Sequence, residues 1–134
     1  MELHLKIVGT LLIIVSLMHA SFPRRLAWKT ELDRLTLLNR QVMYVHTFFI
    51  ALTLLLMGVM CLTVPGLLVS SDLGRVVSIG LFVFWLLRLG CQFFVYSPRI
   101  WRGKRFETVM HVVFSLTWAY FTVVFFIVGF GRAI

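Results

Sequence analysis

The chain reads as an all-α membrane protein: a single four-helix transmembrane bundle, with a short interfacial amphipathic helix between spans 1 and 2. Three observations predict this. Of 134 residues, 60% are hydrophobic and 13% charged, against about 45–50% and about 25% in ordinary soluble domains. Apolar stretches of near-spanning length recur four times, and mean hydropathy is +0.98. Most of the basic residues gather in two short connections between those stretches. No polar stretch is long enough to make a separate soluble domain, so residues 1–134 are read as one integral membrane domain.

The spans fall at about 3–21, 41–64, 76–96 and 108–130. About 20 apolar residues are needed to cross about 30 Å of hydrocarbon. The first span is the shortest, with an apolar core from Leu5 to Ala20 that reaches full length only by taking in Leu3 and His4. A cleaved signal peptide fits it poorly. Only Lys6 precedes the apolar run, the basic cluster Arg24, Arg25 and Lys29 follows it, and Met18 is too large for the −3 position before Ala20. The second span is expected to close at Pro65-Gly66.

Between spans 1 and 2, Trp28, Leu32, Leu35 and Leu38 recur at helical spacing, with Lys29, Asp33 and Arg34 on the other side. That pattern predicts the amphipathic helix in the interface. Thr30 followed by Asp33 has capping-box spacing. The connection Ser97–Arg105 is long enough only for a turn, and its Trp101 fits an interfacial anchor.

Loop charge sets the expected orientation. Arg24, Arg25, Lys29, Arg34 and Arg40 lie in one connection, and Arg99, Arg102, Lys104 and Arg105 in the other. The opposite side carries only Lys6, Arg75 and Arg132. By the positive-inside rule, the basic loops 22–40 and 97–107 face the cytoplasm and both termini face outward, in a cytoplasmic (inner) membrane. The net charge of +8 is thus an orientation and lipid-headgroup signal, and the loops are too small and too close to lipid for nucleic acid. Cys61 and Cys91 lie inside apolar segments without motif spacing, which predicts buried core residues rather than a disulfide. Hydrolytic and nucleotide chemistry lack their GxSxG, HExxH and P-loop signatures.

Four polar residues inside the spans share a level. His19 lies four residues before Pro23, His46 six after Arg40, Gln92 six before Pro98 and His111 six after Arg105. At about 1.5 Å per residue, all four sit roughly 6–9 Å inside the same face. Arg88, ten residues before Pro98, lies roughly 15 Å deep by the same rise. Intramembrane charges usually face the interior and pair, so Arg88 predicts a partner inside the bundle. Glu31, Asp33 and Glu107 are at the basic boundary, and Glu2 and Asp72 lie on the other side. No carboxylate is deep enough to neutralise Arg88, so an exogenous anion or a set of oxygen atoms is expected. Glu107, one turn from His111, is placed to orient that ring. His111, Ser115, Trp118 and Thr122 form one polar stripe, Asn39, His46 and Thr53 another, and Ser16 lies three residues before His19. Such stripes also serve helix packing in lipid.

Three chemistries suit this layer. His19, His46 and His111 fit a metal site for Fe, Zn or Cu. Two of them fit the axial positions of haem b, with Arg88 or Arg40 near the propionates. Gln92, Tyr44, Arg88 and histidine together fit a pocket for a quinone or an anionic lipid headgroup, walled by aromatic residues. The leading expectation is a histidine-lined metal or haem site in the cytoplasmic leaflet with redox or electron-transfer activity. In that reading Arg88 partners an anion, and Gln92 and Glu107 support the ligands. The alternatives are an accessory subunit, whose histidines join helices and whose aromatic faces meet another membrane protein, and a quinone- or lipid-headgroup-binding module.

Overall fold

A computed structural model describes residues 1–131. Those residues are predominantly helical, with no strand among them. Four helices are long and apolar enough to cross a membrane, so the protein is a multi-pass helical membrane protein. Arg132, one of the three basic residues assigned to the outer side, lies outside the described residues. The chain divides into two compact units, one of Leu3–Pro65 and one of Met1–Glu2 with the segment from Gly66 onward.

In the first unit, helix α1 covers Glu2–Arg25. It runs past its expected end because Pro23 falls in the last turn, where the missing N–H removes one bond and breaks nothing beyond it. Leu5, Val8, Leu12 and Val15 recur every three or four residues and are buried. The helix stops at Ala27, which adopts a left-handed φ of 49°.

The connection differs from the continuous amphipathic helix expected over Ala27–Leu38. Helix α2 is a single turn, Trp28–Glu31, followed by a 3₁₀ turn at Leu32–Arg34. Leu35 is extended, and Thr36 caps a new helix by accepting from the Asn39 N–H at 3.4 Å. Thr36, not Thr30, is therefore the N-cap, and Leu38 belongs to the next span. The periodicity misled because it ran across a break in the helix at Leu35, which the Thr36 cap marks. Trp28 is buried edge-on against Tyr44, with centroids 5.3 Å apart.

Helix α3 spans Leu37–Thr63. It stops before Val64 because a residue preceding proline is disfavoured in the α region. Leu54, Gly58 and Cys61 are its buried positions. Gly58 and Gly9 of α1 meet face to face: a Cβ on either would come within 2.8 Å of the other's carbonyl oxygen. That close approach lets Ser16 Oγ donate to the Ala51 carbonyl at 2.6 Å, an interhelical bond of the kind small residues permit in lipid.

Pro65, the last residue of the first unit, does not merely end a span. It starts helix α4, Pro65–Ser70, whose first position suits proline because the N–H there needs no partner. Ser71 then caps helix α5, Asp72–Phe94, accepting from the Gly74 N–H at 2.9 Å. A 3₁₀ turn at Pro98–Ile100 and a left-handed Gly103 lead to helix α6, Arg105–Phe130. Helices α5 and α6 pack antiparallel, and each three- or four-residue step along one matches a step back along the other. Ile79 lies on Gly129, where an added Cβ would be 2.9 Å from Ile79 Cγ1. Phe82 meets Phe126 and Phe130. Trp85 meets Phe121 and stacks on Trp118 at 4.9 Å. Arg88 lies over Trp118, and Gln92 bonds His111.

Candidate functional site

The last two steps of that register build the site. Arg88 and Gln92 are one turn apart on α5, so both side chains reach the same face. The Arg88 guanidinium lies over the Trp118 ring at 5.2 Å and the Tyr96 ring at 5.6 Å. Its Nη1 donates to Gln92 Oε1 at 3.3 Å. Gln92 is buried, and its Nε2 lies 3.0 Å from His111 Nδ1.

Proton placement follows from the chemistry of these groups. Guanidinium has donors only, so the Gln92 oxygen faces Arg88 and the amide NH₂ faces α6. Nδ1 of His111 is then an acceptor, and a neutral ring carries its hydrogen on Nε2. The imidazole is held from a second side by Trp101, which stacks on it at 4.5 Å and 13°. Trp101 is itself tied down, because Thr108 Oγ1 donates to its carbonyl at 2.6 Å.

These residues line a cleft of about 280 Å³. Arg88, Gln92, Tyr96 and His111 supply its polar groups, and Glu107 adds a carboxylate. Ile100, Trp101, Phe106, Met110 and Phe114 complete the walls. No carboxylate forms an ion pair with Arg88 among the described residues.

Arg88 lies closer to the end of its helix than the sequence suggests. The depth of roughly 15 Å assumed a helix running to Pro98, whereas α5 ends at Phe94. Six residues at about 1.5 Å each put Arg88 about 9 Å from the helix end. The turn folds Tyr96 back over the guanidinium in place of further helix.

The structure brings together Arg88, Gln92 and His111, the set anticipated on α5 and α6. Glu107 lines the same cleft, but the hydrogen bond to His111 Nδ1 comes from Gln92. In the other unit, His19 Nδ1 donates to the Val15 carbonyl at 2.8 Å, and its ring lies 4.6 Å from that of Phe22. His46 is exposed on α3. Tyr44 packs on Trp28, and Arg40 pairs with Asp33 at 3.0 Å. Among the described residues, no group of three or more His, Cys, Asp and Glu side chains could hold a metal ion. Along the α6 stripe, the Ser115 and Thr122 hydroxyls donate to the carbonyls of His111 and Trp118 and serve the helix itself. Cys61 is fully buried and Cys91 half-buried, both as free thiols.

Tyr96 and Trp101 were not anticipated as site residues. Tyr96 carried no polar-stripe signal, and Trp101 read as a headgroup anchor. Its stacking partner is visible only once the turn brings residue 101 back over the second turn of α6.

The chain matches no protein-family model, and neither a curated protein nor a solved structure shows significant similarity to it.

Proposed function

We propose that the protein is a membrane-embedded binding module whose cleft on α5 and α6 receives the polar head of a membrane amphiphile. The observation that carries this reading is Arg88: a permanent cation on an apolar helix, facing a cleft, with one side-chain hydrogen bond and no carboxylate partner among the described residues. A guanidinium has five N–H donors, so most of its hydrogen-bonding capacity remains for a ligand. Aromatic and aliphatic walls suit the apolar part of such a molecule. In this reading the basic turns face the cytoplasm, and the head enters from that leaflet.

The test is solvent extraction and mass spectrometry of protein carried through repeated exchange into neutral detergent. Wild type should retain an amphiphile in near-stoichiometric amount, and Arg88→Met should lose it while keeping its helical circular dichroism. Retention of nothing by wild type, or equal retention by the variant, would overturn the proposal.

A further inference from the structure

The cleft's charges go further than its shape and name the class of head it takes. Arg88 is a cation with no counter-charge bonded to it among the described residues. The Gln92 amide is engaged at both ends, its oxygen on Arg88 and one N–H on His111, which leaves only a second N–H donor on its nitrogen. Nδ1 of His111 is likewise taken, so the imidazole offers Nε2–H. Apart from the Tyr96 hydroxyl, which donates or accepts, the interior polar groups left to a ligand are thus mainly donors, and one of them carries a full positive charge.

A quinone carbonyl would accept such hydrogen bonds but leave the charge uncompensated. A phosphate accepts them and neutralises it, with oxygens spaced for the guanidinium fork. The number of negative charges is limited from the other side. Glu107 puts a carboxylate on the cleft wall, and like charge there disfavours a second negative charge on the ligand. Exposed Arg102, Lys104 and Arg105 lie in sequence between the lining residues Trp101 and Phe106 and attract an anionic headgroup as a screened surface field.

We infer that the cleft binds the singly charged phosphodiester of an acidic membrane phospholipid, in preference to a neutral quinone, a zwitterionic lipid or a doubly charged phosphomonoester. This rests on the binding-module reading above. Arg88 binds the phosphate, Gln92 positions Arg88 and His111, and Glu107 selects against the dianion.

The experiment is native mass spectrometry of the full chain in neutral detergent. The probes are dioleoylphosphatidylglycerol, dioleoylphosphatidylcholine, dioleoylphosphatidic acid, decylubiquinone and inorganic phosphate. Phosphatidylglycerol should bind wild type about tenfold more tightly than phosphatidylcholine or decylubiquinone, the difference expected for one charge contact. Phosphatidic acid should bind no more tightly than phosphatidylglycerol, and should gain on it in Glu107→Gln. Arg88→Met should abolish the phosphatidylglycerol preference. Gln92→Glu provides a second variant that supplies the anion from within: it should also abolish the preference while the chain remains folded. Arg34→Gln, in the other unit, should change nothing.

Tight decylubiquinone binding without phosphatidylglycerol binding would overturn the phosphate assignment and leave the binding module standing. Failure of every amphiphile to bind would overturn both. Full displacement of phosphatidylglycerol by inorganic phosphate would assign the site to the free ion and overturn the lipid assignment.

Discussion

Gln92 is the residue on which two helices and one charge converge, and the energy it carries can be isolated. Gln92→Leu keeps comparable bulk on a shorter side chain and removes the acceptor for Arg88 and the donor for His111. The two losses are unequal. The Arg88 contact is long at 3.3 Å and joins residues of one helix, so it adds little to helix association. The His111 contact at 3.0 Å joins α5 to α6. Interhelical hydrogen bonds in membranes average about 0.6 kcal/mol and reach about 1.7 kcal/mol. Gln92→Leu and His111→Phe close a double-mutant cycle in which phenylalanine preserves a ring for Trp101 to stack on. Unfolding by sodium dodecyl sulfate in mixed micelles should give a coupling of about 0.6–1.7 kcal/mol. The same cycle with Arg88→Met should give a smaller value. Additivity within about 0.3 kcal/mol for the Gln92–His111 pair would refute the reasoning, since independent sites add to that precision.

Other perturbations test the remainder of the fold. Gly58→Val should destabilise the protein by about 1–3 kcal/mol, because the added atoms meet the Gly9 carbonyl and Ile13. Gly80→Ala, whose Cβ meets nothing within 4 Å, should be neutral or stabilising in the same unfolding assay. Ser71→Ala should cost about 0.5–2 kcal/mol through the lost α5 cap. Thr36→Ala should cost less, since its cap bond is 3.4 Å against 2.9 Å. Asp33→Asn removes the exposed ion pair with Arg40 and should shift unfolding by less than about 1 kcal/mol, unlike any of the buried changes.

The four apolar helices were legible because span length and composition are strong, local signals. Their ends were less so. Pro65 read as a stop and Pro23 lay just past the expected end of span 1, but proline's effect depends on whether it falls in a last turn, as Pro23 does, or a first turn, as Pro65 does. The single turn at Trp28–Glu31 was overextended because hydrophobic spacing does not register a change of backbone direction at Leu35. Gln92 and His111 were matched by depth, and they do meet, although the count to Pro98 that supported the match included four residues beyond the end of α5. Their pairing follows from the α5–α6 register, which the glycine at 129 and the aromatic steps set. Equal depth held no information about direction, and it gave His46 the same standing as His111 although His46 is exposed. Tyr96 and Trp101 enter through the turn, whose path no periodic pattern encodes.

Whether Arg88 needs a ligand to be tolerated is a question of magnitude. Arginine at a helix centre costs about 2.5–3.5 kcal/mol on insertion scales, an upper value for a residue about 9 Å from its helix end. Two aromatic faces at about 0.5–1 kcal/mol each and one hydrogen bond at about 0.6 kcal/mol offset about 1.6–2.6 kcal/mol of this. The remainder is about 1 kcal/mol, small against the 5–15 kcal/mol stability of a typical domain. The fold therefore stands without an anion, and binding energy is available for affinity rather than consumed by folding. Protein stripped of lipid in neutral detergent should keep its helical circular dichroism and melt cooperatively. Adding phosphatidylglycerol to 100 times its dissociation constant should then raise stability by about 2.7 kcal/mol, with no such gain in Arg88→Met. Unfolding of the stripped wild type, with rescue in stripped Arg88→Met, would show that the aromatic faces and Gln92 do not offset the charge, and that the anion is a structural requirement of α5 and α6.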